Sequence, residues 1–350
     1  MKLNNIFKIL IINFFIFILG LFFIEIIFGS WFKKSNYGSL LIPKKQTNII
    51  ESFPYDAEEI GIYSRDKNGF RANEYELNDI EILILGGSTT EEREVDDKKI
   101  WTKVFEKNLN SNLKVLNAGI GGQTSYGHKS MFSLWFDKFE TLSPKYIILY
   151  VGINDALFLL ENLNKNEIPD EGRNLNSSNR DTLININLND RVVQYVKNNS
   201  ALHTFYLVIK GNLISRKFKF NYNQKPKKFK PFIVKSPENL MLNNKTIKIF
   251  ENYYYNNLIN IKNNANKYKS KLILVTQVIS NEHWLKDYLS IINNFTNNFC
   301  KNEKILCIDL SKENLKINDN DFYDGIHTSP KASAIIGKAI ANKFNELILD

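Results

Sequence analysis

The chain is poor in cysteine and histidine and carries no internal repeat. Two cysteines in 350 residues, Cys300 and Cys307, are too few for a disulfide scaffold. They fall where a helix should end and a strand run, so a local bridge in an oxidising compartment and a pair of buried free thiols both fit. The four histidines, His128, His203, His283 and His327, include no pair at metal-ligand spacing, so no metal is expected, and no cofactor is implied. The missing repeat argues against a solenoid. A composition of 43% hydrophobic and 24% charged residues argues against a disordered or collagen-like chain. At this length a sizeable core is within reach.

The net charge is +9. It fits an anionic surface or polymer as partner, and equally a Lys- and Asn-rich composition shared by every segment. The N-terminus has one long apolar run, Ile9 to Phe32, whose only charge is Glu25. About 24 helical residues reach about 36 Å, enough for the hydrocarbon layer of a bilayer. The exit Phe28-Gly29-Ser30-Trp31 lacks the small-residue pattern of a cleavage site, which favours an uncleaved anchor with Trp31 and Tyr37 near the interface. Lys2 and Lys8 precede the run, and Lys33, Lys34, Lys44 and Lys45 follow it, so positive charge does not favour an outward C-terminus.

The expected division is a tail over 1–8, an anchor over 9–32, a juxtamembrane stalk over 33–77 and a catalytic domain over 78–350. The stalk is expected to pack onto the domain near Gly69-Phe70-Arg71. Five apolar runs of strand length follow: Glu81–Leu85, Lys114–Leu116, Tyr146–Val151, Lys271–Thr276 and Lys304–Asp309. Helical patterns cover Lys98–Asn110, Ser125–Phe139, Lys245–Tyr268 and Lys331–Leu347. Short, nearly continuous apolar runs alternating with helices indicate a parallel sheet buried on both faces. The fold expected is a flavodoxin-like three-layer α/β/α sandwich with a five-stranded parallel sheet, plus the N-terminal transmembrane helix. Residues 161–244 break the rhythm and read as an insertion. Within it, Lys210–Lys235 holds nine Lys or Arg, no acid and several aromatic residues. That stretch suits an acidic glycan or anionic headgroups, or is simply a solvated loop. An anchored protein makes nucleic acid an unexpected partner.

Four segments carry chemistry. Ser88 follows a strand that ends in Gly86-Gly87, where a tight turn can expose a hydroxyl to a base. The competing reading makes Ser88 a helix N-cap with Glu91 closing a capping box. Gly122, in Asn117–Ser125, can aim a backbone amide at substrate, and Asn154 can donate from its side chain, as an oxyanion hole requires. Ordinary strand-to-helix turns also favour Gly and Asn. His327 alone among the histidines has an Asp three residues before it. Asp324 can fix its tautomer while the other ring nitrogen faces Ser88. His128 is expected on a helix surface, His203 in an apolar segment and His283 in a polar loop beside Trp284.

Taken in order, these segments resemble the SGNH, or GDSL, hydrolase superfamily, over roughly residues 79–160 and 271–347. The resemblance implies that Ser88 is the nucleophile and that Asp324 and His327 complete the triad. It also implies an oxyanion hole made of the Ser88 and Gly122 amides and the Asn154 side chain. One departure stands out: the Gly-Asp-Ser-Leu block reads Gly86-Gly87-Ser88-Thr89 here, without the acid before serine. The activity implied is hydrolysis of acyl esters, O-acetyl groups on a carbohydrate or other cell-envelope glycan above all, by a single-pass membrane protein whose catalytic domain lies in the periplasm or outside the cell. Transfer of the acyl group to a glycan hydroxyl, and a silent glycan-binding or assembly protein, are the alternatives.

Overall fold

The computed structural model describes residues 3–29, 31, 46–50, 55, 60–162, 192–193, 196, 199–203, 205–206, 209 and 244–349. The basic run 210–235 and most of the 161–244 insertion lie outside these. The chain divides into two compact units, residues 1–40 with 186–224, and residues 41–185 with 225–350.

In the first unit, α1 (Leu3–Phe28) is one helix, and its stretch Phe7–Phe28 is long and apolar enough to cross a membrane. From Phe7 onward its Ile, Leu and Phe side chains are almost all exposed.

The second unit is built on a five-stranded parallel sheet. Its strands are β3 (Ile82–Gly86), β4 (Val115–Asn117), β5 (Tyr146–Tyr150), β6 (Lys271–Val275) and β7 (Leu306–Ile308), in the order β4-β3-β5-β6-β7. That order is the flavodoxin-like one, whose crevice lies beyond the carboxyl ends of the strands where the winding reverses. Alternate residues explain the layers. Ile82, Ile84, Ile148, Tyr150, Ile273 and Val275 join one core cluster with Trp101 and Phe105 of α3 (Trp101–Lys107) and Ile336, Ile340 and Phe344. The last three belong to α8 (Pro330–Leu349), which opens on proline at the position where a missing N–H costs nothing. The intervening strand residues Leu83, Leu85, Ile147, Leu149, Leu272 and Leu274 are equally buried. By the two-residue period they face the opposite layer.

That layer holds α4 (Ser125–Leu134), α5 (Ile153–Glu161), α6 (Asn244–Lys267) and α7 (Lys286–Glu303). The helical pattern Ser125–Phe139 is shorter than expected: α4 stops at Leu134, and a 3-10 turn covers Phe136–Lys138. The end of α7 and the start of β7 are joined by a Cys300–Cys307 disulfide with Cα atoms 6.0 Å apart, which settles the pairing left open by the sequence.

The stretch read as a stalk contributes a two-stranded antiparallel ribbon, β1 (Gln46–Ile50) with β2 (Gly61–Arg65). Phe70 and Arg71 pack into the domain as expected, with Phe70 stacked on Trp135 at 4.6 Å. The Arg71 amide donates to the Asn117 carbonyl over 2.9 Å, and its guanidinium lies over the Tyr63 ring at 4.3 Å.

Candidate active site

Four loops meet at the carboxyl end of the sheet. Ser88 opens α2 (Ser88–Glu91), a single turn directly after β3, with Gly87 at the N-cap position. No side chain caps this turn, so the capping-box reading of Glu91 fails. The amides of Thr90 and Glu91 instead bond the Gly87 carbonyl at 3.0 Å, which fixes the serine at the head of the turn.

Beside Ser88 stands His327. Its Nε2 lies 2.7 Å from Ser88 Oγ, and its Nδ1 lies 2.6 Å from Asp324 Oδ2. The other carboxylate oxygen of Asp324 accepts the backbone amides of His327 at 2.7 Å and Ile326 at 3.0 Å. One acid therefore orders both the ring and the turn that carries it. Burial works to raise the Asp324 pKa, but the imidazole and the two amides outweigh it and hold the group below the ordinary carboxylate value. The Tyr323 ring stacks on the imidazole at 5.6 Å, with 15° between planes. Hydroxyl, imidazole and carboxylate thus form one hydrogen-bonded series. Such a series can move a proton off the serine and stabilise the imidazolium that results.

Asn154 sits in the first turn of α5. Its Nδ2 donates to the Gln123 carbonyl at 2.9 Å and has a second hydrogen to offer. A β-carbon at position 87 would lie 2.5 Å from this Nδ2. A side chain at 87 would therefore need the asparagine amide to shift. Gly122 follows Gly121 in the left-handed region at φ 81°, a conformation glycine adopts without strain. A β-carbon at Gly121 would lie 3.6 Å from Ser88 Cβ, which puts this loop beside the hydroxyl.

Several residues that position these groups escaped the sequence reading. Glu91 is buried, and its carboxylate accepts the Gly121 amide at 2.6 Å and the Tyr63 hydroxyl at 2.8 Å. It also pairs with Arg65 at 2.8 Å, while Arg65 donates to the Gly119 carbonyl at 2.8 Å. One buried ion pair thus clamps the glycine loop to the serine turn. Gln277, just past β6, accepts the Ile153 amide at 2.6 Å and donates to Thr89 Oγ1 at 2.8 Å, bridging the neighbours of Asn154 and Ser88. Asp155 accepts from Ser125 Oγ at 2.6 Å and from the Ser125 amide at 3.0 Å, and so closes the far end of the glycine loop.

Glu92 follows the serine turn in a left-handed conformation. Its carboxylate accepts from the Trp101 amide at 2.5 Å, from Thr328 Oγ1 at 2.9 Å and from Ser333 Oγ. Burial pushes it up to about 7, against the pull of these donors and of Arg71.

The other histidines differ in place. His128 is not on an exposed helix surface: it is 2% exposed, on a face of α4 that is buried, and burial pushes it down to about 3. His283 lies against the Asp324 turn, where its ring fills the space beside Gly325. Burial lowers its pKa despite the nearby Asp324 charge. His203 falls in the first unit, 6.3 Å from the Tyr206 ring.

No family model matches the chain. Among curated proteins, it is 35% identical over 75 residues to the uncharacterized lipoprotein YqeF of Bacillus subtilis (strain 168), covering 21% of this chain. The match spans only 30% of that relative's length. Among solved structures, it is similar to a member of the lipolytic protein G-D-S-L family from Veillonella parvula, at 12% identity and TM-score 0.41 over 77% of this chain and 98% of that one. It is similar to the psychrotrophic esterase EstA from Pseudoalteromonas sp., at 13% identity and TM-score 0.41 over 78% and 100% of the two chains. It is also similar to Est24, a carbohydrate acetylesterase from Sinorhizobium meliloti, at 12% identity and TM-score 0.42 over 77% and 99%.

Proposed function

We propose that the chain is a membrane-anchored serine esterase of the SGNH kind that hydrolyses acyl esters. The observation that carries this reading is the unbroken contact from Asp324 through His327 to Ser88. In this mechanism Ser88 Oγ attacks the ester carbonyl as His327 Nε2 takes its proton. The oxyanion that forms is met by the Ser88 and Gly122 amides and by Asn154 Nδ2, donors each worth several kcal/mol when well aimed. The alcohol leaves with the proton held on His327, and an acyl-serine remains. Water then attacks, His327 again acting as base, and the acid departs.

The substrate we favour is an O-acetyl group on a carbohydrate of the cell envelope, reached by a domain tethered through residues 9–32 with 33–77 as its stalk. The Cys300–Cys307 bridge supports an oxidising location for that domain, since such bridges rarely persist in a reducing cytosol. The test is turnover of a small aryl acetate by wild type and by Ser88→Ala. Loss of turnover with unchanged thermal unfolding supports the reading. Equal turnover by the two proteins removes Ser88 from the chemistry.

A further inference from the structure

A single helical turn leaves its last carbonyls without partners of its own, and buried carbonyls must find partners elsewhere. In the turn that carries Ser88, the Thr89 carbonyl accepts the Trp101 indole at 2.9 Å, and the Thr90 carbonyl accepts Asn117 Nδ2 at 2.8 Å. The Glu91 carbonyl accepts Arg71 Nε at 3.0 Å. Arg71 reaches further along the same loop: its Nη2 donates to the Val95 carbonyl at 2.8 Å and to the Glu92 carbonyl at 3.4 Å. Its Nη1 pairs with Asp97 and lies 3.4 Å from the Ser64 carbonyl. All five guanidinium N–H groups are thus accounted for.

Charge and rigidity both suit this place. Burial lowers the Arg71 pKa to about 10, so the cation persists at neutral pH. A positive charge is favoured at the carbonyl end of a helical turn. Glu92 has φ 44°, a strained value for a residue with a β-carbon, which persists only where the surroundings over-determine it. Arg71 bonds the carbonyl before this residue as well as the residue's own. The Glu92 amide donates back to the Ser88 carbonyl at 2.8 Å, so a shift at this end of the turn carries the serine with it.

We propose that Arg71 is a positioning residue for Ser88: its guanidinium fixes the carbonyl end of the serine turn, and with it the place of Oγ beside His327. This rests on the reading of Ser88 as the nucleophile. The stretch before the sheet, from which Arg71 comes, thereby supplies part of the catalytic scaffold. Without that cation the triad residues would all be present, but their alignment would be lost.

The test compares the full-length wild type with Arg71→Lys and Arg71→Gln, each shown to be folded by near-ultraviolet circular dichroism well below its melting temperature. Phe344→Leu is the control for lost stability, because Phe344 packs on Tyr146 at the start of β5, the opposite end of the sheet from the site. On an aryl acetate, kcat is expected to fall about tenfold in Arg71→Lys and further in Arg71→Gln, since small displacements of a reacting group cost rate steeply. KM should stay within about twofold, because alignment acts on the chemical step. The rate of Ser88 phosphonylation by a fluorophosphonate should fall in parallel, and Phe344→Leu should melt lower with kcat kept. Folded Arg71 variants with wild-type kcat, beside an inactive Ser88→Ala, overturn the positioning role alone. Turnover by Ser88→Ala equal to wild type overturns the esterase reading as well. A fall in kcat matched by Phe344→Leu, or failure of both Arg71 variants to fold, makes Arg71 a residue of the fold only and overturns the proposal.

Discussion

Thr328 Oγ1 donates to Glu92 Oε1 over 2.9 Å, and this bond joins the residue after His327 to the residue after the serine turn. Ser333, in the first turn of α8, donates to the same oxygen. The distance between Ser88 and His327 is therefore set from below by a buried carboxylate that touches neither. Losing Thr328 Oγ1 in Thr328→Val should loosen the histidine turn. We expect kcat on an aryl acetate to fall about tenfold with little change in KM, since an oriented base contributes mainly to the chemical step. A kcat equal to wild type would show that the turn holds itself.

The same carboxylate makes stability depend on pH. Burial raises Glu92 from 4.5 to about 7, so the folded protein holds this proton more tightly than the unfolded chain. The resulting stability is complete below about pH 4.5 and declines as pH rises toward 7, by roughly 3 kcal/mol. Above about pH 7 both states are ionised and the slope ends. Urea midpoints measured from pH 4.5 to 8 should show this decline in wild type, and Glu92→Gln should flatten it.

Glu91→Gln removes the charge opposite Arg65 and weakens the grip on the Gly121 amide. Breaking a buried pair by removing one charge costs about 3–5 kcal/mol, so the melting temperature should drop. In protein that remains folded, kcat should fall about tenfold or more as the glycine loop loosens, consistent with the cost of a misaimed oxyanion donor. Unchanged kcat would show that Glu91 supports the fold alone.

Asp324→Asn tests the orientation of the imidazole. Its Nδ1 faces Asp324 Oδ2 at 2.6 Å, and an amide there can favour the wrong tautomer. A loss of about 10³–10⁴ in kcat is expected with substrate binding retained. A loss under tenfold would point to another partner for His327.

Much of this architecture could be read from the residues. The five apolar runs became the five strands within a residue or two at most ends, because a parallel sheet covered on both faces demands continuous apolar sequence. Gly152-Ile153-Asn154-Asp155 and Asp324-Gly325-Ile326-His327 stood out because their distinctive residue types sit at short spacing. The helices α5 and α7 went unassigned: Ile153–Glu161 follows a strand without a polar break, and Lys286–Glu303 is diluted by five asparagines that mute its apolar period. The supporting shell was harder to see. Gln277, Arg65 and Glu91 act through contacts over 188, 54 and 30 residues of separation, and no local pattern encodes such partners. His128 was misplaced because one polar residue on a mixed helix gives no sign of which face turns inward.

The Cys300–Cys307 bridge closes a short loop between α7 and β7. Replacing both with serine should cost about 2 kcal/mol by the loop-entropy account and leave kcat unaltered, as neither residue adjoins the site. A matching loss of activity would tie this edge of the sheet to the histidine turn.

The most direct measurement of the central claim is the mass of the protein after reaction with a fluorophosphonate. The account predicts one adduct per chain, carried on Ser88 in the peptide map, abolished in Ser88→Ala and strongly slowed in His327→Ala. An intact, folded chain that takes no adduct, or takes it at another serine with Ser88→Ala equally reactive, would contradict it.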